Sequence, residues 1–269
     1  IKQSKVRKNV KFYQRAASDR SGLDLQFLSD GGTGDHIGGG AYDVWNMVKK
    51  ELTAEEEAAM KDKYVTVKSV AIDDIIHNNI SPTNDYSLEA GNTSESSLPN
   101  IDRLYLLKVD VQGHEPSVFS GITKSISEHK IDLVMTEYWP KGIDFMNESM
   151  GAKKECLKPV GVLQLLVDSG YTLYALAAQV DPRAPKDGAR DRMRRNNRGK
   201  KLMPIGSLME HCMWFYDLER KYRDGDGMAT TGGIYNFGYW TDVLAVRPGF
   251  KFPAAPVTVT GRIIAESLN

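Results

Sequence analysis

Cysteine is scarce in this chain: there are two in 269 residues, Cys156 and Cys212. Neither sits in a CxxC pair or at a zinc-ligand spacing, which excludes a zinc module and a dithiol redox centre. Both read as reduced thiols, with a single disulfide left open. Net charge is also lacking, with 35 basic against 35 acidic side chains. That balance removes any global pull toward nucleic acid or an anionic membrane. No apolar run approaches the roughly 20 residues that a membrane-spanning helix requires. There is no internal repeat and no visible signal peptide. The sequence opens on Ile1, which leaves a missing upstream segment open. Asn79, Asn92 and Asn147 each begin an Asn-x-Ser/Thr triplet, read as chance matches rather than glycosylation sites.

What is present is a chain long enough to bury a substantial core, organised around residues 104–140. Residues 104–109 (LYLLKV) form a short apolar run suited to a strand buried on both faces. The run ends on Asp110, and Gly113 permits a tight turn. Pro116 falls in the first turn of a helix, where its missing N–H costs little. Val118, Phe119, Ile122 and Ile126 give that helix its apolar face. Residues 131–135 are a second buried strand, ending on Glu137, Tyr138 and Trp139. Two parallel strands joined by a helix place their ligand beyond the strands' carboxyl ends. Asp110, His114, Glu115, Glu137, Tyr138 and Trp139 are therefore expected at one rim.

Before this unit, residues 10–28 read as a strand and a hairpin arm turning at Gly22, and 31–40 as a glycine-rich loop. A charged helix is predicted within 43–63, a strand over 64–70 and a short helix opening at 72–76. Asp73 and Asp74 read as helix-start residues, and 81–100 as a solvated loop. After Pro140 the chain loosens. A helix is predicted over 157–169 with Gly170 at its end, then a strand over 171–177 and a polar loop over 181–201. Another helix within 202–222, a glycine-rich stretch over 225–238 and a closing strand over 241–246 follow. If the last two strands pair, they form an antiparallel edge to a mostly parallel sheet with helices on both faces. The fold class is thus α/β, in a single domain over 1–269 with an insertion loop over about 178–239.

Two carboxylates near a histidine can serve as a base pair, a weak divalent-metal site or a polar cofactor pocket. The local sequences are more specific. KVDVQGHEPSVFSGI, followed by LVMTEYWP, resembles the FkbM-type methyltransferases, with Asp110, Gln112, Gly113, Glu115 and Gly121 at the family's Asp–x–(Glu/Gln)–Gly–x–Glu segment and helix glycine. VKFYQRAASDRSGLDLQF and VTVKSVAIDDII are similar to the family's upstream strands. The resemblance covers about 10–140 and, more loosely, the strands near 171–177 and 241–246. It implies a class I methyltransferase-like, Rossmann-like fold, S-adenosylmethionine as cofactor and O-methylation of a hydroxyl on a carbohydrate or small molecule. It places Ala16, Ala17 and Ser18 near the adenine, and Asp110 with Val111 beside the methionine part. His114 is the first candidate for the base, with Asp110 or Glu137 as alternatives, and Glu115, Tyr138 and Trp139 face the acceptor. No metal is implied. The family's first two strands, with their glycine-rich loop and ribose-binding acid, have no counterpart here, so the N-terminal half of such a cofactor site is expected to be missing.

The basic segment 190–201 lies outside the resemblance. It reads as a solvated loop, or as a clamp for an anionic acceptor such as a sugar phosphate, sulfated glycan or nucleic acid. No aromatic residues are interleaved with it for base stacking, which argues against nucleic acid. The alternative function is a non-catalytic α/β domain of the same ancestry that holds an anionic glycan or protein partner.

Overall fold

A computed structural model describes residues 13–28, 36–37, 41–43, 48–50, 53–55, 58, 64–77, 101–151, 153–176, 203–225 and 240–252. Their fold is mixed α/β. One sheet has the strand order β1-β6-β2-β3, built from Ala16–Ala17, Tyr64–Val70, Asp24–Leu28 and His36–Ile37. The second has the order β10-β9-β11-β8-β7, built from Met203–Pro204, Thr172–Leu176, Thr241–Val246, Ile131–Tyr138 and Leu104–Val109. A separate antiparallel pair joins β4 (Ala41–Asp43) to β5 (Val48–Lys50).

The predicted parallel pair is present: β7 runs beside β8 from Leu104 opposite Ile131 to Val109 opposite Thr136. The rest of that sheet is antiparallel. The last two predicted strands, β9 and β11, do pair antiparallel on one side of the sheet, and β11 also pairs antiparallel with β8, so β11 itself is interior. Its residues are accordingly almost all buried. Mostly parallel is therefore incorrect for the described strands. β1 with β6 is the other parallel pair, and β2 pairs antiparallel with β6 and with β3. β7 is an outer strand here, not one buried on both faces, and leaves Tyr105 and Leu106 exposed.

Strand alternation splits the core. Val134 and Tyr138 of β8, Val243 and Ala245 of β11 and Leu173 of β9 join one cluster. Its helical members come from α1 (Ile72–Ile76), α2 (Glu115–Ser120), α3 (Thr123–Ser127), α5 (Leu157–Asp168) and α6 (Leu208–Gly225). Leu133, Leu244 and Val246 face the other way, against Met135, Tyr174, Phe250 and Phe252. Among the described residues that second face carries no helix, unlike the expected two-sided arrangement. At the far end of β8, Arg247 donates to Asp132 at 2.7 Å through its side chain and at 2.9 Å through its backbone N–H.

Several expectations change in detail. The helix after Pro116 breaks at Gly121, and α3 starts anew at Thr123. Asp73 explains the restart: its carboxylate accepts the backbone N–H groups of Lys124 and Ser125 at 2.9 and 2.8 Å, so it caps α3 and not its own helix. Pro140 opens a further helix, α4 (Pro140–Met146), where the sequence reading has the chain loosen. Residues 13–15 are not strand, and β1 and β2 are not a hairpin, because β6 runs between them. Of the helix predicted within 43–63, residues 54, 55 and 58 are helical while the β4–β5 pair takes the start of the range, and β3 occupies part of the predicted loop 31–40. The segments 181–201, 81–100 and 226–238 lie outside the described residues.

Cys156 and Cys212 form a disulfide, which corrects the reduced-thiol reading. Nothing in their spacing signals it, since they lie 56 residues apart and only α5 packed on α6 brings them together. Closing a loop of that length constrains the unfolded chain by about 4 kcal/mol. Asn147 is committed internally: its side-chain N–H group donates to the carbonyls of Gly113 at 3.0 Å and Ile143 at 2.7 Å, and Ser149 is buried. Glycan attachment at Asn147 would replace one of its two amide hydrogens, so at most one of the two bonds could survive.

Gly121 is where β1 docks on α2. A Cβ there would lie 2.0 Å from the backbone oxygen of Ser18. Gly121→Ala is predicted to destabilise the fold by about 3 kcal/mol, read as a lower midpoint in urea denaturation. An unchanged midpoint would show that this contact does not hold β1 in place.

Candidate functional site

The site forms where β7 and β8 end and β11 begins. Val111, Gln112, Gly113 and His114 reverse the chain after β7, closed by His114 N–H to the Val111 carbonyl at 3.2 Å. Gln112 and Gly113 both adopt positive φ, 52° and 96°. Glycine accepts that conformation freely, but glutamine does so at a cost near 1 kcal/mol. Its side chain shows what the position achieves. The Gln112 amide donates to Asp110 Oδ1 at 3.2 Å and to Glu137 Oε2 at 3.1 Å, bridging the ends of β7 and β8.

Glu137 carries a second neighbour that the sequence did not single out. Asp242 of β11 is its direct cross-strand partner, and directly opposed like charges destabilise a pair of strands. Burial, then the charges of Asp110, Glu115 and Asp242, push the Glu137 carboxyl up to about 8, while Lys108 opposes them. Burial also raises Asp242, with Lys108 opposing and Asp110 adding to the rise. Lys108 pairs with Asp110 at 2.8 Å, and that hydrogen bond raises its own pKa. Asp242 would have been found from the β11 register, which pairing alone supplies.

Glu115 opens α2 and is 1 % exposed. Its Oε1 accepts the Val111 N–H at 3.2 Å, but its buried Oε2 has no hydrogen-bond partner. Burial pushes this carboxyl up to about 7 against the backbone N–H groups that favour its charged form. His114 sits to the side of the carboxylates, with Nε2 3.2 Å from Ser18 Oγ. Burial holds its imidazole below the usual value, opposed by Asp19. That contact brings the end of β1 to the turn, so Ser18 and His114 lie together. Ala16 and Ala17 lie beside Ser69 and Val70 on β6.

Tyr138 and Trp139 fall elsewhere. Tyr138 is fully buried on the face of β8 opposite Glu137, and Trp139 is 2 % exposed beneath Gly142. Both are core residues and do not wall an open acceptor pocket: alternation along β8 turns Tyr138 away from Glu137, and Trp139, just before α4, is buried. Beyond them lies a hub invisible in the sequence. Asp144 Oδ2 accepts the Cys156 N–H at 2.7 Å and the Tyr216 hydroxyl at 2.5 Å, tying α4 to the start of α5 and to α6. Burial pushes the Asp144 carboxyl up to about 6.

The arrangement suits a positively charged ligand or a proton in transit. No three His, Cys, Asp or Glu side chains among the described residues are grouped to hold a metal ion. No protein-family description, curated protein or solved structure matches this chain.

Glu115 and Glu137 bind protons more tightly folded than the ordinary carboxylate value near 4.5. Their stabilising contribution is therefore complete below pH 4.5 and is lost as pH rises through 7 and 8. For Glu115 the loss is about 3 kcal/mol. Urea midpoints are predicted to fall between pH 5 and pH 8.5, with a shallower fall in Glu115→Gln. An equal fall in that variant would place the sensitivity elsewhere.

Proposed function

We propose that this chain is an S-adenosylmethionine-dependent O-methyltransferase domain with a Rossmann-like, FkbM-type core, acting on a hydroxyl of a carbohydrate or small molecule. The observation that carries the reading is the cluster of carboxyl groups at the strand ends: Asp110, paired with Lys108, gathers there with Glu115, Glu137 and Asp242, which hold their protons above the ordinary carboxylate range. A sulfonium or ammonium group would favour release of those protons and match the charge that remains. The unpartnered Glu115 Oε2 offers a further acceptor at nine-tenths burial or more. Ala16, Ala17, Ser18, Asp110 and Val111 are the residues that would hold the cofactor. When bound, S-adenosylmethionine supplies a methyl group already activated by its positive sulfur.

The chain's own work is then alignment and proton transfer. Glu137 is assigned as the base that takes the proton of the acceptor hydroxyl, ahead of His114. Its pKa near 8 makes it a stronger base than an ordinary carboxylate and poises it near neutral pH. Gln112 fixes the Glu137 carboxylate in place. His114 positions Ser18, and with it the end of β1. The rival reading, a non-catalytic domain for an anionic glycan or protein partner, has the wrong charge at this rim. It leaves the ligand to the basic segment 190–201, outside the described residues.

Calorimetric titration of S-adenosylmethionine into the chain tests the reading directly. Weak binding is expected, because the glycine-rich loop and ribose-binding acid of such a site have no counterpart in the sequence, and Asp110→Asn should weaken it about tenfold further, with a smaller loss for S-adenosylhomocysteine, which lacks the positive charge. Absence of binding would overturn the proposal. In a methyl-transfer assay, Glu137→Gln is predicted to lower turnover about 100-fold or more, and His114→Ala less than tenfold. Wild-type rates should rise with pH to a plateau above 8 as Glu137 loses its proton. The reverse ranking of the two variants would return the base to His114.

A further inference from the structure

The Cys156–Cys212 bond is built as a permanent part of the core. Both residues are fully buried and belong to the main apolar cluster with Leu163, Phe215 and Tyr216. They are the only cysteines in the sequence, so the pairing leaves no thiol over. Cys156 holds a left-handed backbone, φ 72°, just before α5, and its N–H is taken by Asp144. Cys212 sits one residue after His211, whose ring stacks on Tyr138 with centroids 5.5 Å apart. The bond and the Asp144 hub thus fix α6 to the start of α5, and with it the surroundings of Tyr138. A sulfur pair this inaccessible serves neither catalysis nor redox sensing, both of which need an exposed thiolate.

We infer that this chain matures in an oxidising compartment, such as a secretory lumen, a periplasm or the cell exterior, and that its acceptor or partner is met there. Buried structural disulfides in domains of ordinary stability belong to such compartments, whereas cytosolic thiols are kept reduced. Formation runs by exchange with a protein disulfide. A thiolate of the chain attacks it to give a mixed disulfide, and the second thiolate then displaces the partner's sulfur. Two protons leave the chain's thiols and two electrons reduce the partner to a dithiol. The compartment is inferred from the fold and not the rim, so only the mention of an acceptor rests on the methyltransferase reading.

The test begins with the protein taken from the cells that make it, with free thiols blocked by N-ethylmaleimide at lysis and the chain then unfolded. Intact mass is expected to show no label without reductant and two labels when the unfolded chain is reduced before labelling. Two labels without reductant would overturn the inference. A second measurement needs no native source. Chain refolded with the bond intact is compared with chain refolded in excess reductant. The reduced chain is expected to melt roughly 10 °C lower or to fail to refold. Equal melting temperatures would remove the bond from any structural role and overturn the lock on α6.

Discussion

The parallel alignment of β7 with β8 is the constraint on which the rest of the molecule depends. Parallel neighbours need a crossover, and here α2 and α3 provide it and bring the apolar side of the helices onto one face. The same alignment sets Val109 opposite Thr136, so the next residues of both strands end at one level. Asp110 and Glu137 come close only because of that register. Gln112 then spans them, at the cost of a backbone conformation that glutamine rarely adopts.

The rim illustrates how a fold can store electrostatic cost and hold it for use. A carboxylate placed opposite another across hydrogen-bonded strands, half withdrawn from water, holds its proton more tightly than it would in solution. Glu137 has both conditions, and Asp242 supplies the second. The strain is not relieved locally, because Lys108 is committed to Asp110. A cation arriving from solution would favour release of the Glu137 proton and meet a carboxyl group already fixed in place. That is the sense in which the geometry and the methyltransferase proposal agree, and titration decides between them.

The parts legible in the sequence were those whose own side chains dictate their state. Residues 104–109, 64–70, 72–76 and 241–246 fall where the pattern puts them, because continuous apolar or β-branched runs leave few alternatives. The break at Gly121 was hidden, since Ile122 and Ile126 continue a helical period that only the approach of Ser18 interrupts. The helix expected within 43–63 is present at residues 54, 55 and 58, but the start of that range pairs as β4 and β5, which its many charges did not signal. The rim was legible as Asp110, Glu115 and Glu137, and illegible as Asp242, whose role depends on register. The disulfide was illegible for the same reason. Distance along the chain carries no information about which helices meet.

One consequence of the strand order concerns synthesis. β11 is the last strand described and yet occupies the middle of its sheet, bonded to β8 on one side and β9 on the other. Until residues 241–246 leave the ribosome, β8 and β9 cannot be joined, and each presents a bare row of backbone donors and acceptors. Such edges pair readily with other chains. The nascent protein therefore carries its central seam open until β11 emerges, and a chain stopped before residue 241 would be left with two unsatisfied edges.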